Sequence, residues 1–95
     1  LIDDMIDTAG TITVAADVMK NAGAISVRAL ASHAVMSGPA TERVQASSIE
    51  EIVFTDSIPY TQRCSKIKQI SVANMFAETI RRVISNESIS SQYLI

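Results

Sequence analysis

Apolar residues recur at helical spacing between Thr11 and Ala22. Ile12, Ala15, Ala16, Met19 and Gly23 fall at i, i+3, i+4, i+7 and i+11, and Val14 and Val18 widen the arc. Asp17, Lys20 and Asn21 are left for solvent, and Gly23 is a natural left-handed cap. Ser26 to Ser32 reads as a strand, with Leu30 flanked by alanines that let helices approach both faces. His33 to Pro39 reads as a loop. Pro39 suits the first position of a short helix running to about Ser47, with Ser37 or Gly38 as its cap. From Glu51 to Asp56 the continuous apolar run Ile52, Val53, Phe54 predicts a buried strand. Ser57-Ile58-Pro59 breaks the chain, and Ile67 to Ile70 is a fourth short strand. Val72 to Ser85 is a second helix, with Val72, Met75, Phe76, Ile80, Val83 and Ile84 on one side. On its other side Glu78 reaches Arg81 and Arg82 at i+3 and i+4. The tail from Asn86 is Ser-rich but ends in Tyr93, Leu94 and Ile95, which want a partner surface.

Strands alternating with helices predict an α/β fold: an open, mostly parallel sheet with flanking helices in the doubly wound style. The 95 residues suit one domain. An apolar share of 47% and a mean hydropathy of +0.24 exclude a disordered chain. Aromatics are only 4%, so the core must be Ile, Val, Ala and Met, with Met5, Met19, Met36 and Met75 as gap fillers. A net charge of −2 provides no basic footprint, so neither nucleic acid nor a membrane surface is expected as a partner. The single cysteine, Cys64, excludes an internal disulfide and a multi-Cys metal site, and fits a reducing, cytoplasmic setting. Leu1 and Ile2, followed at once by Asp3 and Asp4, read as the tail of a buried strand, and a domain that opens in mid-strand reads as a piece of a longer protein.

The segment that carries chemistry is Leu1 to Thr11, LIDDMIDTAGT. In an open α/β sheet the ligand crevice lies beyond the carboxyl ends of the strands, where Asp3 and Asp4 are expected. Asp7 to Thr11 then feeds into a helix N-terminus, where unpaired N–H groups and the helix dipole favour a phosphate by ~0.3–1 kcal/mol per charge. Thr8 and Thr11 add hydroxyl donors, and Gly10 lets the backbone approach an anion closely. Carboxylates beside a phosphate cradle need a partner of their own, and sugar hydroxyls and Mg²⁺ are the two obvious candidates.

Two acidic residues, two apolar residues and then Asp-Thr-small-small-Thr resemble the phosphoribosyl-pyrophosphate fingerprint of the phosphoribosyltransferases and the ribose-phosphate diphosphokinases. The stretches Ser32 to Ala40, Thr55 to Pro59, Ala77 to Arg82 and Asn86 to Ser90 resemble, in that order, the C-terminal portion of the diphosphokinases (phosphoribosyl pyrophosphate synthetases). The resemblance implies that residues 1–95 are the second half of a C-terminal phosphoribosyltransferase-type domain, in a two-domain chain of about 300 residues.

Members of that family pass the diphosphoryl group of ATP to the anomeric hydroxyl of ribose 5-phosphate, with Mg²⁺. By resemblance, Asp7, Thr8, Ala9, Gly10 and Thr11 hold the 5-phosphate, Asp3 binds the ribose hydroxyls, and Asp4 assists there or touches the metal. Ser88 and Ser90 match a subunit-interface anion site. Dimers assembling into hexamers are implied too. The family's catalytic Lys and Arg, its metal-binding His region and its adenine pocket all lie upstream, so no catalytic residue is expected here and the isolated segment is expected to be inactive. Ala34 and the ending Ser91-Gln92-Tyr93-Leu94-Ile95 depart from the family pattern. Two other readings use the same loop: a nucleobase phosphoribosyltransferase, and a catalytically silent, synthetase-associated regulatory subunit.

Other reactive side chains have plainer readings. His33 is expected to organise a loop, Cys64 to be an ordinary free thiol, Arg81 and Arg82 to pair with Glu78 on a solvated face, and Asp56 with Pro59 to shape a turn.

Overall fold

The computed structural model describes residues 1–93. Its elements are β1 (Ile2–Ile6), α1 (Gly10–Asn21), β2 (Val27–Ala34), α2 (Ala40–Ala46), β3 (Ile49–Thr55), β4 (Ile67–Ile70) and α3 (Ala73–Ile84), followed by a 3₁₀ turn at Ser90–Tyr93. The four strands form one parallel sheet in the order β1-β2-β3-β4. Ile2 pairs with Leu30 and Leu30 with Val53, and Thr55 pairs with Ile70.

The α/β expectation holds, and the departures from it have physical causes. β1 does not end at Ile2 but runs on through Asp3 and Asp4 to Ile6, so the two acids lie within the strand. β2 likewise continues through His33 to Ala34, because pairing of Met5 with His33 and Ile6 with Ala34 extends the ladder past the predicted end. The α2 cap is Pro39 itself, with no side-chain capping bond.

The sheet is wound in one direction only. Parallel crossovers are right-handed, and strands added successively on one side therefore place both connecting helices on the same face. α1 packs against α2, β2 and β3. The core between them is centred on Phe54, Ile49, Ile52 and Val44, with Ala16, Ala29 and Ala40 allowing close approach. Among the described residues nothing covers the opposite face, and Leu30, expected between two helix layers, is half exposed beside Ile2 and Ile70. On α1 the inward residues are Ile12, Thr13 and Ala16, while Val14, Val18 and Met19 are exposed. Of the four methionines only Met36 enters the core.

α3 is strongly two-sided but buries no residue. The radius of gyration, 16.1 Å, exceeds the ~12 Å of a compact chain of this length, because this helix and the turn after it stand away from the sheet. Glu78 bridges Arg81 and Arg82 at 2.7 and 2.8 Å, as their spacing predicts. Leu94 and Ile95, read from the sequence as wanting a partner surface, lie outside the described residues.

Candidate functional site

The end of β1 is pinned before the chain turns. Ile6 is buried, and its carbonyl accepts the Met36 N–H at 2.9 Å. The Asp7 carbonyl accepts the Ser37 N–H at 3.0 Å, and the Ser37 hydroxyl donates to the Asp7 carboxylate. Asp7 is thereby tied to the loop after β2.

The turn itself is strained. Ala9, buried, adopts a left-handed conformation with φ 64° and ψ 12°, at a cost of about 1–2 kcal/mol for a residue with a Cβ. Such strain persists only where the surroundings over-determine it. Here the Thr13 N–H and hydroxyl both donate to the Ala9 carbonyl, at 3.2 and 2.6 Å, and the Arg43 guanidinium donates to the Thr8 carbonyl at 3.1 Å. α1 begins immediately, at Gly10.

This geometry leaves the N–H groups of Thr8, Ala9, Gly10, Thr11 and Ile12 without a partner among the described residues. They belong to a cavity of about 160 Å³ lined by Asp3 and by the run Met5 to Ile12. Successive free N–H groups around a left-handed residue form an anion-binding concavity at the positive end of a helix.

The structure separates the two leading acids. Asp3 lines the cavity and Asp4 does not. The Asp4 N–H donates to the Asp3 carboxylate, and the Met5 N–H to the Asp4 carboxylate, each at 2.8 Å. Hydrogen bonding with the Asp3 carboxyl, then with the Met5 N–H, holds the Asp4 carboxyl below the usual range. Both acids were expected beyond the strand end; their place inside β1 is a correction imposed by the extended ladder. Asp3, Asp7, Thr8, Ala9, Gly10 and Thr11 line one cavity.

Among the described residues no three His, Cys, Asp or Glu side chains gather to hold a metal ion. Of the two leading acids only Asp3 lines the cavity, and Mg²⁺ can take as few as one or two carboxylates from a protein when substrate phosphates and water complete its octahedron.

His33 lies within β2, and its Nδ1 sits 2.6 Å from the Ser57 hydroxyl, joining the ends of β2 and β3. Asp56 accepts the Val72 N–H at 3.0 Å, which together with the Ser71 hydroxyl holds its carboxyl below the usual range. Cys64 is half-buried and its thiol donates to Gln45. The hydroxyls of Ser88 and Ser90 are 2.9 Å apart, and the Arg82 guanidinium binds the Ser88 carbonyl at 3.2 Å and the Ser91 hydroxyl at 3.1 Å. These serines lie at the far end of α3 and take no part in the cavity.

Sequence reasoning missed Ser37, Thr13 and Arg43 as parts of the site. The local signal at Ser37 is that of a helix cap. Arg43 lies 35 residues from Thr8 and carries no local motif.

Residues 1–94 match the family model described as "Phosphoribosyl synthetase-associated domain". A protein named ribose-phosphate pyrophosphokinase from Porphyromonas gingivalis is 61% identical over 93 residues, which are 98% of this chain and 30% of that protein. Another of the same name from Helicobacter pylori is 55% identical over 93 residues, 98% of this chain and 29% of its own length. The crystal structure of phosphoribosylpyrophosphate synthetase from Mycobacterium smegmatis superposes with a TM-score of 0.87 at 39% identity, over 90% of this chain and 30% of that one. The chain thus spans about 30% of the length of the relatives it matches. Among the described residues no helix is long and apolar enough to cross a membrane.

Proposed function

The chain belongs to the phosphoribosyl synthetase-associated domain family, and from that premise we propose that its complete gene product makes phosphoribosyl pyrophosphate from ATP and ribose 5-phosphate. The residues from Asp7 to Thr11 supply the 5-phosphate site. The observation that carries this reading is the run of five N–H groups, unpartnered among the described residues, on residues that line one small cavity at a helix start.

The roles follow from placement. Backbone N–H groups from Thr8 to Ile12, with the Thr8 and Thr11 hydroxyls, receive the phosphate oxygens. Asp7 holds the loop in place through Ser37. Asp3, on the cavity wall, accepts from the ribose hydroxyls. Asp4 assists from outside the cavity lining. Mg²⁺, when bound, neutralises charge on the transferring phosphoryl oxygens. The work of these residues is positioning: they fix the sugar so that its anomeric hydroxyl can meet ATP. Asp4 acts ionised, and its depressed carboxyl suits that.

Four further assignments are proposals of the same kind. Residues 1–95 form the second half of the C-terminal domain of a two-domain protein, a placement supported by the ordered resemblance from Ser32 to Ser90 and tested by the residues that precede Leu1 in the gene. Ser88 and Ser90, with Arg82 beside them, form an anion site. The protein assembles as a homo-oligomer of dimers building to hexamers. It works in the cytoplasm.

The test is kinetic. The complete protein should form phosphoribosyl pyrophosphate from ATP and ribose 5-phosphate. Asp7→Ala and Thr11→Ala should each raise KM for ribose 5-phosphate by about tenfold. Unchanged kinetics for both remove the cradle assignment. Binding of ribose 5-phosphate without turnover would identify a silent regulatory subunit instead.

A further inference from the structure

Arg43 stands behind the loop. It takes no part in any ion pair among the described residues, and the nearby Asp17 is committed to the Ser48 hydroxyl at 2.6 Å. Its guanidinium is spent on one backbone acceptor, the Thr8 carbonyl. Arg43 is absent from the cavity lining. It lines a second recess with Gly10, Thr13, Val14 and Asp17, and Gly10 is the one residue common to both walls.

A trans peptide is planar, with its C=O and N–H pointing in opposite directions. A guanidinium that draws the Thr8 carbonyl toward α2 therefore turns the Ala9 N–H the other way. The cavity is lined by Ala9 and not by Arg43. We propose that Arg43 is a positioning residue for the anion site: it sets the Thr8–Ala9 peptide so that the Ala9 N–H faces the bound phosphate, and its positive charge backs the cradle from the far side. The proposal rests on the sugar-phosphate reading of that cavity and extends it to a residue outside the motif. It also accounts for Gly10. A Cβ there would stand 3.2 Å from Arg43 Nη1 and 3.9 Å from the Thr8 hydroxyl oxygen, tight enough to shift the guanidinium. What Gly10 supplies is room for Arg43 rather than an unusual backbone angle, as its φ is not among the positive ones.

The experiment is steady-state kinetics on the complete gene product, with melting temperature recorded for every variant. Arg43→Ala should raise KM for ribose 5-phosphate by about tenfold, the cost of misaligning one charge-assisted contact, with kcat within about twofold and melting little changed. Arg43→Lys, which keeps the charge but not the planar fork, should recover part of the loss. Gly10→Ala should raise KM in the wild-type background and have no further effect in the Arg43→Ala background, because its harm passes through Arg43. This coupling is one that a merely structural arginine would not produce, and Gly10→Ala alone keeps the test open should Arg43→Ala fail to fold. If Thr11→Ala raises KM while Arg43→Ala and Gly10→Ala do not, the positioning role falls and the sugar-phosphate site stands. If all three leave KM unchanged, both fall. Additive effects of Gly10→Ala and Arg43→Ala overturn the proposal as well.

Discussion

Ser37 donates twice to Asp7, from its N–H to the carbonyl at 3.0 Å and from its hydroxyl to the carboxylate. The loop after β2 thereby holds the loop after β1, so two crossovers remote in sequence share one rigid junction at the sheet's carboxyl edge. Ser37→Ala should remove the hydroxyl bond and leave the backbone bond intact. The expected result is a rise in KM for ribose 5-phosphate of about two- to tenfold, the value of one ordinary hydrogen bond, with melting nearly unchanged. An unaltered KM would show that the backbone bond alone fixes Asp7.

The 95 residues expressed alone should yield no phosphoribosyl pyrophosphate from ATP and ribose 5-phosphate. Among the described residues no cationic side chain lines the cavity. A coupled assay that detects turnover would mean that transfer chemistry lies within these residues.

Core and surface positions should respond differently to the same truncation. Ile52, fully buried on β3, should lose about 2–5 kcal/mol of stability on replacement by Ala. Val14, 63% exposed on α1, should change stability by less than about 0.5 kcal/mol. Urea unfolding measures both, and similar losses would mean that the α1 face has been assigned the wrong way round.

Acid should weaken α3. The Arg81 guanidinium, then that of Arg82, pulls the Glu78 carboxyl from 4.5 down to about 2. A carboxyl whose folded value is depressed stabilises fully above its unfolded value and loses that contribution as pH falls through the folded one. The helix should therefore hold its ellipticity to about pH 4.5 and lose this contribution progressively toward pH 2, while Glu78→Gln is flatter over that window. Carboxyl-resolved NMR should give Glu78 a midpoint well below that of an ordinary glutamate; a midpoint near 4.5 would mean that the Arg81 pair does not persist in solution.

Some of this was legible in the residues. The apolar periodicity placed both long helices to within a residue or two, and the four-residue strand Ile67–Ile70 was found at its true bounds. The Asp-Thr-Ala-Gly-Thr run marked the loop, because a tight strand-to-helix turn needs small and hydroxylated residues in consecutive order. The ends of β1 and β2 were misplaced, since strand length depends on which partner pairs with them and Asp3 and Asp4 look like turn residues in isolation. The α1 arc was read as wider than it is: Val14 and Val18 have the right chemistry for burial, but α2 and the sheet meet the helix along Ile12, Thr13 and Ala16.

By itself, then, the sequence determined the alternation of elements and the strand-to-helix loop from Asp7 to Thr11, because both are written in neighbouring residues. Only the tertiary structure decided that both crossover helices share one face, that Asp3 reaches the cavity while Asp4 does not, and that Ser37 and Arg43 clamp the loop. Those relationships depend on strand register and crossover handedness. They join residues 30 and 35 positions apart, a distance over which local spacing carries no information.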